Sequence, residues 1–143
     1  MAERMIYLGR LPIVGLFWRR KPPKNLLLAL WDEANRNLER YYVVEQRNFI
    51  TEPFDSEALD EARLLGGVKF QAELTAYASA IRDFNVALQD VKAFEGVYAS
   101  GIDHKTRENA EILHAKKEAL DEQFKRLYPV IVAAQKVLRE MLV

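Results

Sequence analysis

Apolar residues recur along most of this chain at alternating steps of four and three, most regularly near its C-terminus. There the steps land on Thr106, Ala110, Leu113, Lys117, Leu120, Phe124, Leu127, Ile131, Ala134, Leu138 and Met141, and all but Thr106 and Lys117 are apolar. A mean spacing of about 3.5 residues keeps one stripe of a helix turned towards a partner, so the pattern predicts a coiled-coil-like seam. Pro129 falls inside it. Leu127 and Ile131 hold the phase on either side, which predicts one kinked helix in place of two separate ones.

The same stepping picks out Leu27, Trp31, Ala34, Leu38, Tyr41, Glu45 and Asn48, with Asn25 as the expected cap and Leu30, Tyr42 and Phe49 widening the apolar face. Asp32, Arg36, Glu39, Arg40 and Arg47 form the opposite, solvated face. A middle seam runs through Phe70, Leu74, Tyr77, Ile81, Phe84, Leu88, Val91, Glu95 and Tyr98. Its helix is expected to start at a cap on Asp55 or Ser56. Gly66 and Gly67 together cost about 2 kcal/mol relative to two alanines in a helix interior, which predicts a break or kink there. On its back, Ala72, Ser79, Val86 and Ala93 recur every seven residues. Small residues admit a close helix neighbour, so this helix is expected to be central or to form a homodimer. Ser100 and Gly101 end it, and the short connection to Asp103 predicts antiparallel neighbours. The fold expected is all-α: an antiparallel up-down-up bundle of three long heptad-patterned helices over residues 25–143, with an N-terminal arm over residues 1–24.

The arm is the least regular part. Met5 to Leu8 and Leu11 to Trp18 are apolar, fitting a short hairpin or a helical turn, and Pro22 and Pro23 stop whatever precedes them. Formal net charge is zero, yet residues 1–24 hold six basic side chains against one acidic, so the arm is positive and the body negative. Phe17, Trp18, Arg19, Arg20, Lys21 and Lys24 are therefore the candidate binding residues. Aromatics beside cations suit anionic lipid, single-stranded nucleic acid or a protein partner. The competing use is local: Leu16, Phe17 and Trp18 cover exposed seam while the cations face the acidic body.

A chain of 143 residues suits one domain with a real core. Half of it is apolar, 29% is charged and six residues are glycine, which fits a folded helical protein. The absence of cysteine excludes disulfides, thiolate zinc sites and cysteine nucleophiles. Leu11 to Trp18 is too short for a spanning helix, which needs about twenty residues. Its basic cluster follows the apolar part, unlike a secretory signal, so a cytoplasmic protein is expected.

Glu111 and His114 form a Glu-x-x-His string, and His104 with Glu108 adds a second histidine–carboxylate pair. At about 100° per residue, Glu108, Glu111, Glu118 and Glu122 point away from the seam, so a solvated face and no metal site is expected. Glu45 and Glu73 lie within apolar arcs. Antiparallel pairing of the first two long helices would bring them to one level, where one of two buried carboxyls would have a raised pKa. Their plainer use is at the core edge, bonded to tyrosine hydroxyls. Lys117 and Glu95, polar on the seams, would fix register. With no Gly-rich phosphate loop or nucleophile elbow, no catalytic residue, cofactor or small-molecule substrate is inferred. The reading is a non-enzymatic helical bundle that binds a protein partner or a second copy of itself. The alternative is a peripheral membrane or nucleic-acid binder acting through the basic aromatic arm.

Overall fold

The computed structural model describes residues 22–47, 50, 52–64, 71–99 and 107–143, the side chains of 97–99 excepted. Those residues form four helices: α1 (Lys24–Arg47), α2 (Glu57–Leu64), α3 (Ala72–Ala99) and α4 (Arg107–Leu142). No strand occurs among them. The expected count of three is thus corrected to four. The stretch expected to break or kink at Gly66 and Gly67 is two elements, α2 ending at Leu64 and α3 starting at Ala72, with that pair between them and outside the described residues.

Contacts fix how the elements run. Along α4 they follow in reverse order: Asn35 meets Gln135 and Tyr42 meets Tyr128, while Phe84 meets Phe124 and Asp90 meets Lys116. Between α1 and α3 the order is the same, since Asn37 reaches Tyr77, and Tyr41 and Phe84 share the Phe124 ring. The long helices therefore do not alternate up, down, up. The return path is the stretch from Pro53 to Leu64, where Asp55 meets Asn37 and Ala58 meets Glu33. The expected meeting of Glu45 and Glu73 fails with that topology. Glu45 lines a cleft with Leu88 and Val91, Glu73 sits in the first turn of α3, and both side chains are exposed.

The core follows the middle seam closely. Leu74, Tyr77, Ile81, Phe84, Leu88 and Val91 are all buried, against Leu120, Phe124, Leu127, Ile131, Ala134 and Leu138 of α4. Upstream of Leu120 the last seam is not buried: Ala110 and Lys117 are exposed and Leu113 is half-buried. The reason is geometric. Tyr41 of α1 stacks on Phe124 only two turns before α1 ends at Arg47, so α1 stops providing a wall along the start of α4. On α1 the buried set is Leu26, Leu27, Leu30, Glu33, Ala34, Asn37 and Tyr41. Relative to the expected seam the buried face is turned by about 60°, leaving Trp31 and Leu38 half-buried and Glu45 exposed. Asn25 is no cap either: α1 begins at Lys24, and the Leu27 amide donates to the Pro23 carbonyl. Pro129 lies on the exposed side of α4, which runs continuously through it.

Candidate functional site

The arm residues Phe17, Trp18, Arg19, Arg20 and Lys21 lie outside the described residues, while Lys24 is the exposed first residue of α1. His104 is also outside. His114 is on the solvent side, 3.4 Å from Glu118, and no group of three metal-type ligands occurs among the described residues. Lys117 and Glu95 pair at 3.1 Å between α4 and α3.

The densest polar arrangement lies elsewhere, where α1 and α3 grip the segment entering α2. Ser56 holds the cap position expected for α2, but its hydroxyl goes to Asp60 at 3.2 Å. The amides a cap side chain normally takes, at the second and third helical residues, are taken by Glu33 of α1. Its Oε1 accepts from Ala58 N at 2.8 Å and its Oε2 from Leu59 N at 3.2 Å. Glu33 is fully buried. Burial raises its carboxyl above the ordinary value, and the two amides pull it part of the way back.

Two asparagines hold the preceding peptides. Asn37 Oδ1 accepts from Asp55 N at 2.8 Å, and its Nδ2 donates to Asp55 O and to the Tyr77 hydroxyl, both at 2.9 Å. Asn85 of α3 accepts from Phe54 N at 2.9 Å and donates to Phe54 O at 3.0 Å. The Phe54 ring is thereby set edge-on against Phe84, 5.0 Å between centroids. Outside, Asp55 receives Arg36 at 3.0 Å and Arg40 at 3.3 Å, and Arg40 also donates to the Pro53 carbonyl. Burial pushes the Tyr77 hydroxyl well above the ordinary phenol range, which keeps it a neutral hydrogen-bond partner. Together these groups form a latch: they replace missing helix and sheet partners for residues 53–59. Glu33, Asn37 and Asn85 escaped the sequence reading because it followed apolar residue types. The available signal was that Glu33 and Asn37 sit at i, i+4 among Leu30, Ala34 and Tyr41.

A different feature faces solvent. Beside its buried face, α1 carries a second stripe at steps of three and four, Leu28, Trp31, Asn35, Leu38 and Tyr42, on the side turned to α4. From α4 it meets Tyr128 and Gln135, and Val132 follows Tyr128 one turn on along α4. Asn35 and Gln135 bond at 2.7 Å, and the Tyr42 hydroxyl reaches that of Tyr128 at 3.5 Å. Leu28, Tyr42, Tyr128 and Val132 are nonetheless 39–45% exposed. Asp32 and Glu39 flank the stripe on α1.

Clefts also open on the surface of the described residues. One of about 900 Å³ opens where α1 stops, with Tyr41, Leu88, Val91 and Phe124 inside and the Lys117–Glu95 pair at its rim. Another, of about 660 Å³, lies between α2 and α3 and is lined in part by Ser79 and Val86 of the small-residue face. Ala72, Val86 and Ala93 of that face are exposed. Comparison of the chain with protein-family models, curated proteins and solved structures finds no match in any of the three.

Proposed function

We propose that this protein is a non-enzymatic interaction module, a helical bundle that self-associates through the outer α1–α4 face. The observation that supports this reading is the exposure of four large apolar side chains on α1 and α4, Leu28, Tyr42, Tyr128 and Val132. Contiguous apolar surface exposed on a folded domain marks a contact site. Tyrosines suit it, since each supplies a rigid ring and a hydroxyl at low entropic cost. A surface built from two helices accepts further helices by ridge-into-groove packing, and the same two helices of a second copy fit a two-fold contact. The buried polar groups are already engaged in holding residues 53–59, which favours a scaffold over an acid/base centre.

We further read the long helices as a heptad-seamed bundle in which α4 is antiparallel to both α1 and α3. The reversed order of contacts along α4 supports the antiparallel part, and the burial of the middle seam supports the heptad part.

Sedimentation equilibrium of the full chain tests the functional reading. Dimerisation is expected as concentration rises, and Val132→Lys should weaken it at least tenfold, because a buried cation at a contact costs well over 1.4 kcal/mol. A chain that stays monomeric throughout, or a dimer indifferent to Val132→Lys, would sink it.

A further inference from the structure

We propose that the cleft between α2 and α3 binds a small organic monoanion with an apolar body, whose charged group is held by Arg82. The site uses none of the residues of the outer α1–α4 face and stands independently of self-association there.

The cleft follows from the way α2 is tied down. Glu33 takes the first amides of α2 and Asn37 takes the Asp55 peptide just before it, so both ties run to α1. The tie from α3, Asn85, goes to the Phe54 backbone ahead of the helix. Beyond those bonds α2 leans on α1 more than on α3. The space of about 660 Å³ left between α2 and α3 falls in the range of small-molecule sites, about 300–1,000 Å³. Leu59 and Ala62 of α2 and Ile81 of α3, all buried, give it an apolar floor.

The chemistry of the walls selects the ligand. From α3 the cleft receives one stripe at steps of four and three, Thr75, Ser79, Arg82, Val86 and Gln89. Arg82, in its middle, is exposed and has no ion-pair partner among the described residues. Ser79 lies one turn before it and Val86, 63% exposed, one turn after. From α2 come Arg63 and Asp60, and Asp60 is already engaged by the Ser56 hydroxyl at 3.2 Å and by Arg63 at 3.9 Å. Two guanidiniums thus share the cleft with one carboxylate, a surplus of one positive charge. Neighbouring carboxylates face elsewhere: Glu57 and Glu61 lie about 100° round α2 from Ser56 and Asp60, and Asp83 shares the side of Asp90, which reaches Lys116 of α4. A planar guanidinium suits a carboxylate or sulfonate, with the Ser79 hydroxyl as a further donor, while Val86 and the floor take an apolar ring or chain.

A pair of fluorescent probes tests this on the full chain. Anilinonaphthalene sulfonate is an apolar monoanion whose emission rises in an apolar site, and phenylnaphthylamine is the same body without the charge. The sulfonate should saturate at a single site per chain, and the uncharged probe should bind more weakly by roughly fivefold or more, the scale of a charge-assisted hydrogen bond at an exposed cation. Arg82→Gln should weaken the sulfonate by roughly the same factor and leave the uncharged probe unchanged. Val86→Glu, which adds a carboxylate to the same wall, should weaken the sulfonate as well, whereas Lys92→Gln, in the cleft where α1 stops, should not. Far-UV circular dichroism confirms that each variant remains folded, and two variants on one wall guard against the loss of either. Equal affinity for the two probes overturns the assignment of an anion. Binding that does not saturate, that neither Arg82→Gln nor Val86→Glu alters, or that Lys92→Gln abolishes overturns the assignment of the cleft.

Discussion

Replacing Glu33 by alanine removes the side-chain acceptor of the Ala58 and Leu59 amides, two of the donors at the start of α2. Each buried amide left without an acceptor costs about 1–3 kcal/mol, which for two gives about 2–6 kcal/mol. Part of that returns, because a buried carboxylate is itself unfavourable, and a net loss of about 2–4 kcal/mol is expected. Urea unfolding followed by far-UV circular dichroism measures it. Amide exchange at Ala58 and Leu59 shows whether α2 opens locally before the whole domain does. The pH dependence gives a second check. Glu33 titrates above its ordinary value in the folded protein, so its contribution is fully present below the unfolded pKa and declines as pH rises through the folded one. The gap between wild type and Glu33→Ala should therefore widen as pH falls from 7 towards about 4.3, the ordinary glutamate value. A loss below about 0.5 kcal/mol, the scale of an uninvolved surface change, would refute the latch. A gap that narrows on acidification would refute the sign.

Three further substitutions test the packing. Leu127→Ala, at a fully buried position, should cost about 2–5 kcal/mol, whereas Leu113→Ala on the same seam but beyond the end of α1 should cost under about 1 kcal/mol; equal losses would show that the start of α4 is covered after all. Pro129→Ala restores an amide inside the continuous α4 and should stabilise by up to about 3 kcal/mol in thermal unfolding, and a destabilisation would show that the proline is required.

Legibility in the sequence differed from helix to helix for physical reasons. On α3 the buried residues Leu74, Tyr77, Ile81, Phe84, Leu88 and Val91 are all large and apolar, so periodicity located the face without help. On α1 the buried face includes Glu33 and Asn37, which residue type assigns to solvent, and the outer stripe supplied Trp31 and Leu38 as decoys. The direction of α3 relative to α1 was not legible at all. It depends on the stretch from Pro53 to Leu64 returning along α1, and that path is held by side-chain bonds to backbone, from Asn37, Asn85 and Glu33, which leave no periodic trace. For the same reason the last seam was read as continuous burial from Thr106. Its apolar spacing records the potential to pack, while the point where packing stops depends on where α1 ends.

The contact surface can be located with spin labels, since a chain without cysteine accepts a single engineered one without ambiguity. Lys136→Cys places a label on an exposed position one residue from Gln135, at the edge of the outer α1–α4 face, and Val86→Cys places one on α3, where the side chain is 63% exposed. At high protein concentration, double electron–electron resonance should give a defined intermolecular distance for the label at 136 and none for the label at 86. A defined distance at 86 with none at 136 would contradict the account and assign the interface to the small-residue face of α3.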